Sequence, residues 1–213
     1  MSYIKYIFLI LTLAVSVIHL FVKHNRNITK PMLLPLIAAY YVTACAEPSV
    51  ILIIAFIASF LGDVLLMKPK LSFFVAGGIS FMVSHFMFMT FYVLNIGAYS
   101  NKLLFAIPVA LVYYATAAAV IIKLKPTTQK NMVVPLYLYL FINGTMNTFA
   151  FASLLSNPCA GTASAYIGAI FFFISDCTLF IEEFGGEKKE RPFSIIMLTY
   201  IIGEFLIAHG AVI

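Results

Sequence analysis

Charged side chains are scarce in this sequence. They account for 10% of 213 residues, whereas a soluble domain carries about 25%. Hydrophobic residues reach 63%, against about 45 to 50% in a soluble domain, and the mean hydropathy is +1.04. A soluble fold cannot bury that much apolar surface. The composition therefore predicts a polytopic integral membrane protein whose constant partner is the lipid bilayer.

Common catalytic and cofactor motifs are also missing. The sequence has no G-x-S-x-G, H-E-x-x-H, P-loop or C-x-x-C pattern, and so it gives no support to a serine-hydrolase, zinc-protease, nucleotide or dithiol site. Cys45, Cys159 and Cys177 form neither a metal spacing nor an even disulfide framework. The net charge of +5 is spread over loops, which argues against a nucleic-acid partner. We expect no cofactor, no metal and no protein partner.

Long apolar runs separated by charged residues, proline or glycine predict the architecture. One span needs about 20 apolar residues, so the chain has room for eight transmembrane helices. The predicted spans are residues 3–22, 31–46, 49–67, 71–94, 102–123, 131–155, 161–183 and 193–212. The expected fold class is all-α, a polytopic membrane helical bundle in which residues 1–213 form a single integral membrane domain.

The distribution of lysine and arginine predicts the orientation. Lys5 and Lys102 lie on one side of the predicted bundle, whereas the loops of the other side hold Lys23, Arg26, Lys30, Lys68, Lys70, Lys123, Lys125, Lys130, Lys188, Lys189 and Arg191. Cationic loops stay on the cytoplasmic side. Both termini should therefore face the non-cytoplasmic side, and a bacterial inner membrane is the expected location.

Two pairs of similar segments predict an internal repeat. Residues 30–36 resemble residues 130–136, and residues 60–66 resemble residues 173–179. Each half would hold four helices in the same orientation, which is a 4+4 parallel repeat with a pseudo-twofold axis along the membrane normal. Binding sites in such proteins lie where the halves meet. The alternative is that an apolar alphabet produces these matches by chance.

Four ionisable residues lie well inside the predicted spans, namely Asp63, His85, Asp176 and Glu204, whereas His19 and His209 lie nearer span ends. Such groups cost at least about 2.5 kcal/mol near the bilayer centre, so they usually face a cavity or a partner. Counted from the cytoplasmic boundary, they form a polar seam that descends from Asp63 through Asp176 and Glu204 to His85.

Other polar residues follow the helical i, i+4 spacing. Tyr200 lies one turn from Glu204 in span eight, and Asn143 lies one turn from Asn147 in span six. We expect these four residues to bind the polar part of a ligand. Glu204 has no cation in its own span, so it should be neutral or paired with His85 or Tyr200.

Asp63 and Asp176 allow two interpretations. Drawn together where the halves meet, they would hold one proton between them, because two carboxylates in a low dielectric cannot both ionise cheaply. The alternative is that each stabilises a neighbouring helix or pairs with a loop lysine such as Lys68. His85 gains a functional interpretation if it reaches Asp63 from the adjacent span, and it is otherwise a packing histidine.

Five short motifs in register resemble the YhhN-like lysoplasmalogenase family over nearly the whole chain. They are Thr29-Lys30-Pro31, Gly62-Asp63 followed by Leu66, the run of Gly78, Phe81 and Ser84-His85, the segment from Gly168 to Ser175-Asp176, and Thr199-Tyr200 with Ile207 and Gly210. One position departs from the pattern. The family usually has a glutamine after its Thr-Tyr motif where Glu204 stands here.

This resemblance implies an eight-helix membrane enzyme that cleaves the vinyl ether bond of lysoplasmalogen, a lysophospholipid. The products are a fatty aldehyde and a glycerophosphoethanolamine or glycerophosphocholine. Such a reaction begins with protonation of a carbon and passes through an oxocarbenium ion, so it needs one neutral acid and one anion or base. Asp63 and Asp176 would divide these roles, with His85 orienting water and Lys30 attracting the phosphate.

A transporter is the alternative function. Buried carboxylates at a repeat interface also act as proton relays in proton-coupled carriers of lipids or small molecules. Discontinuous helices are typical of such carriers, but Pro35 and Pro135 lie near predicted helix starts, and no mid-span break is present in the sequence. The pattern therefore favours an enzyme.

Overall fold

The computed structural model describes residues 3–96, 101–186 and 194–213, and within these ranges the chain is helical without a strand. Eight α-helices occur in the described part: α1 (Ile4–Phe21), α2 (Arg26–Ala44), α3 (Val50–Leu66), α4 (Leu71–Ile96), α5 (Ile107–Leu124), α6 (Lys130–Ser156), α7 (Ala160–Phe184) and α8 (Ser194–Gly210). Each predicted span corresponds to one of them. Lys188, Lys189 and Arg191, used to predict the orientation, lie outside the described residues.

Two helix starts differ from the prediction by several residues, and both lie near a proline. Helix α2 begins at Arg26 rather than at Pro31, so Pro31 lies inside the helix, where its missing N–H removes one backbone hydrogen bond. Residues Asn101–Ala106 form a 3₁₀ helix before α5. Pro108 lies in the first turn of α5, where its fixed φ favours the start of an α-helix.

The lengths and apolar composition of the helices identify a membrane protein. Five helical segments among the described residues are long and apolar enough to cross a bilayer, and they correspond to α1, α4, α5, α6 and α7. Helices α3 and α8 are apolar but shorter. Many large apolar side chains on the outer surface are exposed, as expected for a surface that contacts lipid.

Helix packing follows a pairwise order. Helix α3 packs along α4, α7 along α8, α1 along α2, and α5 along α6, while α4 contacts α6 and α2 contacts α8. Helices α7 and α8 approach closely because glycines face each other. A Cβ atom added to Gly168 would lie 2.6 Å from the Gly203 carbonyl oxygen. This order brings α2, α3, α7 and α8 together at one end of the bundle.

Candidate active site

A polar cavity of about 250 Å³ lies at the end of the bundle where α3 and α7 end and α2, α4 and α8 begin. Lys68, Lys70 and Lys130 lie in the loops or helix starts at this same end, which we call the basic end. The polar residues that line the cavity are Lys30, Asp63, Ser175, Asp176, Glu182, Glu183 and Tyr200. The two aspartates that the sequence analysis paired therefore share one cavity.

Asp63 is held through both carboxyl oxygens. The Lys30 Nζ atom lies 3.4 Å from Oδ1, and the Tyr200 hydroxyl donates a hydrogen bond to Oδ2 at 2.7 Å. Asp63 is 3% exposed, so this ion pair is largely shielded from solvent. Its cationic partner is Lys30 from α2, not the loop residue Lys68 considered as an alternative. Asp63 thus has the contacts of a carboxylate anion.

Asp176 is held through one oxygen. The Tyr139 hydroxyl and the Asn143 side-chain amide both donate to Oδ2, at 2.9 Å and 2.6 Å. No hydrogen bond from a described residue reaches Oδ1, and no described lysine or arginine forms an ion pair with this carboxyl. Since both donors occupy Oδ2, a proton on this group would be carried by Oδ1, the oxygen left for the cavity.

Helix α6 supplies a line of polar side chains behind Asp176. Tyr139, Asn143 and Asn147 follow each other at four-residue intervals, and the Asn147 amide donates to Asn143 Oδ1 at 2.9 Å. Both asparagines are fully buried and neither lines the cavity, so they orient Asp176 instead of touching a ligand there. Tyr139 was not among the predicted site residues, although its four-residue spacing from Asn143 indicates that both lie on the same helix face.

His85 lies beside Asp176 rather than Asp63, so the contact with Asp63 that would have favoured a functional interpretation is not made. Its Nε2 atom is 3.6 Å from Asp176 Oδ2, which is beyond a normal hydrogen bond. Its ring contacts those of Tyr139 and Phe172 at centroid distances of 5.3 and 4.9 Å. The residue is fully buried and is not part of the cavity wall.

Glu204 lies one helical turn beyond Tyr200, deeper than the cavity wall. It is fully buried, and neither of its carboxyl oxygens has a hydrogen-bond partner of good geometry. Ser59, whose hydroxyl is hydrogen-bonded to that of Ser84 at 2.7 Å, is the neighbouring polar group. The expected pairing of Glu204 with His85 or Tyr200 is absent among the described contacts. Ser59 is therefore the polar neighbour of the Glu204 carboxyl inside the bundle.

Among the described residues, no group of three His, Cys, Asp or Glu side chains is arranged to hold a metal ion.

The family of this chain follows from its similarity to known proteins. The model of the YhhN family matches residues 25–211, which include every residue of the cavity. The chain belongs to the YhhN family. No curated protein and no solved structure gives a significant match to it. The matched part of this YhhN-family chain begins just before α2, so the whole of α1 lies outside it.

Proposed function

We propose that this YhhN-family chain hydrolyses the vinyl ether bond of lysoplasmalogens, with release of a fatty aldehyde and a glycerophosphoethanolamine or glycerophosphocholine. Family membership and the five motifs of the sequence support the substrate class. The observation that carries the proposal is the cavity in which one carboxyl is paired with a lysine and the other is not. Vinyl ether hydrolysis needs this combination of an anion and an acid.

Asp176 is the general acid in this proposal. A carboxylate buried without a cation is costly, so the neutral acid is favoured in such a place. The donors from Tyr139 and Asn143 occupy Oδ2 and direct the acidic proton to Oδ1. Asn147 holds Asn143 in this orientation, and His85 restricts the position of the carboxyl from α4.

Asp63 is the anion that stabilises the transition state. Lys30 and Tyr200 compensate its charge only in part, so it favours the positive charge of an oxocarbenium ion in the same cavity. Tyr200 and Lys30 also provide donors for the polar part of the lipid. Glu182 and Glu183 at the cavity mouth are suited to the ammonium group of ethanolamine or choline.

The reaction is balanced by one water molecule. The Asp176 proton moves to the β-carbon of the C=C bond, and the ether oxygen shares the resulting positive charge with the α-carbon. Water then adds its oxygen to the α-carbon while the Asp176 carboxylate takes a proton from it. Collapse of the hemiacetal transfers its hydroxyl proton to the leaving glycerol oxygen and releases the aldehyde.

Purified protein in lipid nanodiscs, incubated with lysoplasmenylethanolamine, tests the proposal. We expect free aldehyde, and in D₂O we expect one deuterium on the carbon next to the carbonyl, because that carbon receives the acid proton. Asp176→Asn should abolish turnover and retain the fold and lipid binding. Glu47→Gln neutralises an exposed carboxylate away from the cavity and is the matched control. Absence of aldehyde with the folded wild-type protein would contradict the proposal.

The membrane arrangement proposed here is eight crossings, with the basic end in the cytoplasm and both termini opposite. The contacts of the two aspartates support the 4+4 repeat. Asp63 is bound by α2 of its own half and by α8 of the other. Asp176 is bound by α6 of its own half and has His85 of α4, in the other half, as a neighbour at 3.6 Å. If the two halves arose by duplication of a four-helix unit, α2 would correspond to α6 and α4 to α8, as these neighbours do.

A proton-coupled transporter is the second candidate, favoured by the buried polar groups that continue beyond the cavity. Among the described residues, no hydrogen-bond partner of good geometry reaches the Glu204 carboxyl or the Oδ1 atom of Asn147, as expected for relay groups that alternate between partners. Reconstituted vesicles with a pH gradient distinguish the two functions. Lysolipid movement that depends on the gradient and on Asp176, without aldehyde release, would favour the transporter.

A further inference from the structure

A narrow apolar groove lies between α4 and α6, next to the polar cavity. Gly78, Ile79 and Met82 of α4 face Met132 and Leu136 of α6 across it, and α7 forms its floor. Apart from the hydroxyl of Tyr139, its side chains are apolar. Such a wall suits a hydrocarbon.

The groove and the polar cavity are continuous. Leu66, Phe74, Phe81 and Leu179 line both of them. Tyr139 also joins the two spaces, because it lines the groove while its hydroxyl binds Asp176. A molecule that extended from one space into the other would pass close to Asp176, with a polar end at Lys30 and an apolar end between α4 and α6.

The groove also opens at the side of the bundle. Val75 and Ile79 on its α4 edge are 37% and 52% exposed, on a surface that contacts lipid in the membrane. Between them and Met82, Gly78 leaves an open space, since a Cβ atom added there would have no neighbour within 4 Å. A lipid chain could therefore enter from the bilayer without leaving an apolar environment.

We propose that this groove holds the single hydrocarbon chain of a lysophospholipid and presents the bond at the head of that chain to Asp176. The identity of the scissile bond rests on the proposed function, whereas the occupant follows from the apolar wall and its continuity with the polar cavity. The polar end of the cavity is complementary to a zwitterionic head group, with Lys30 for the phosphate and Glu182 and Glu183 for the ammonium. Chain-length preference is then set by side chains that project into the groove, chiefly at position 78.

Substitution of Gly78 tests the proposal through chain-length selectivity. Gly78→Leu fills the open space without a clash at Cβ, so the protein should fold. With a long-chain lysoplasmalogen we expect kcat/KM to fall about tenfold or more, because several methylene groups lose their apolar contacts. With a short-chain substrate the value should change less than about twofold. Val83→Leu, on the same helix but outside the groove, is the matched control and should leave both values unchanged.

A second measurement does not depend on turnover. A saturated lysophosphatidylethanolamine with a diazirine near the end of its chain should crosslink to peptides of α4 and α6, and Gly78→Phe should reduce this labelling at least severalfold. An equal excess of diacyl phosphatidylethanolamine should compete poorly. Equal competition by the diacyl lipid would show a general lipid crevice and overturn the proposal, as would equal loss of activity at all chain lengths in Gly78→Leu.

The two proposals fail in different ways. If the wild-type protein releases no aldehyde but the labelling occurs in the groove and is lost in Gly78→Phe, the hydrolase function is wrong and the chain site stands. If aldehyde is released and Gly78→Leu shows the chain-length profile of the wild type, the hydrolase function stands and the chain site is wrong.

Discussion

Tyr139 and Asp176 are joined across the bundle by a hydrogen bond of 2.9 Å, in which the phenol donates to the carboxyl oxygen already bound by Asn143. Tyr139→Phe removes this donor and keeps the ring against Phe180. A hydrogen bond to a charged group contributes about 1.5 to 3 kcal/mol. Because Asp176 becomes charged only as it gives up its proton, this bond strengthens in the transition state, and its loss should lower kcat about tenfold or more. KM should change little, because the ring still lines the groove. Steady-state kinetics of aldehyde release measures both values.

Tyr137→Phe is the control for this substitution. Tyr137 lies on the same helix and is 40% exposed, away from the cavity. The same loss of a hydroxyl should leave kcat unchanged there. A Tyr139→Phe protein with normal kcat and lowered thermal stability would show that the hydrogen bond is structural only.

The Lys30–Asp63 ion pair predicts a large coupling between the two residues. The side chains are 15% and 4% exposed, and removal of one partner leaves a buried charge without compensation. Lys30→Met should therefore lower the free energy of unfolding by about 3 to 5 kcal/mol. Lys30→Met combined with Asp63→Asn should recover most of this loss. Thermal unfolding in detergent, for the single and double variants, measures the coupling.

Lys68→Met is the matched control, because Lys68 is exposed in the loop next to Asp63. Its effect should stay within about 0.5 kcal/mol, as for most surface substitutions. A larger loss for Lys68→Met than for Lys30→Met would mean that the loop lysine is the true partner of Asp63, as the alternative interpretation of the sequence held.

The helices of this protein could be predicted because each is an apolar run bounded by charged residues. The convergence of Asp63 and Asp176 could be expected from their matching segments on α3 and α7. Contacts between helices were harder to predict. In the hairpin of α3 and α4, Gly77 lies opposite Gly62, and His85 lies eight residues farther along, about 12 Å away at about 1.5 Å per residue. That distance explains why His85 does not reach Asp63.

Depth along the helix, together with the neighbour that each helix face contacts, explains the other differences. Asn143, Asn147 and Glu204 were predicted to touch a ligand because they are polar and buried, yet none of them lines the cavity. The sequence shows which residues share a helix face, but it does not show which neighbouring helix that face contacts. Tyr139 was not predicted as a site residue because the sequence contains 12 tyrosines, and most of them give no functional signal.

The proposed topology can be tested at Cys159, an exposed thiol at the start of α7. Hydrogen bonds with Thr162 lower the pKa of this thiol, and the bond with its side chain has a larger effect than the bond from its backbone. Because the thiolate is the reactive form, Cys159 should react with a maleimide at lower pH than an ordinary thiol. In intact spheroplasts a membrane-impermeant maleimide should label it from outside, since the proposed arrangement puts the end opposite to the basic end outside.

Lys125→Cys combined with Cys159→Ser is the reciprocal variant, because Lys125 is exposed at the basic end. It should be labelled only after permeabilisation. Labelling of Lys125→Cys in intact spheroplasts, with protection of Cys159, would reverse the proposed orientation. Thr162→Ala should move the pH dependence of Cys159 labelling back towards that of an ordinary thiol.

The close approach of α7 and α8 predicts opposite results for the same substitution at two glycines. In Gly168→Ala the new methyl would lie 2.6 Å from the Gly203 carbonyl oxygen and 2.8 Å from the Ile207 nitrogen. The helices must separate, and we expect a loss of about 1 to 3 kcal/mol in the free energy of unfolding. Gly78→Ala adds the same methyl to open space and should be neutral or stabilising by up to about 1 kcal/mol, because alanine favours the helix. Thermal unfolding of both variants measures the difference. We infer that the close contact of the α7 and α8 backbones positions Tyr200 of α8 over the cavity. Equal stabilities of the two variants would contradict this inference.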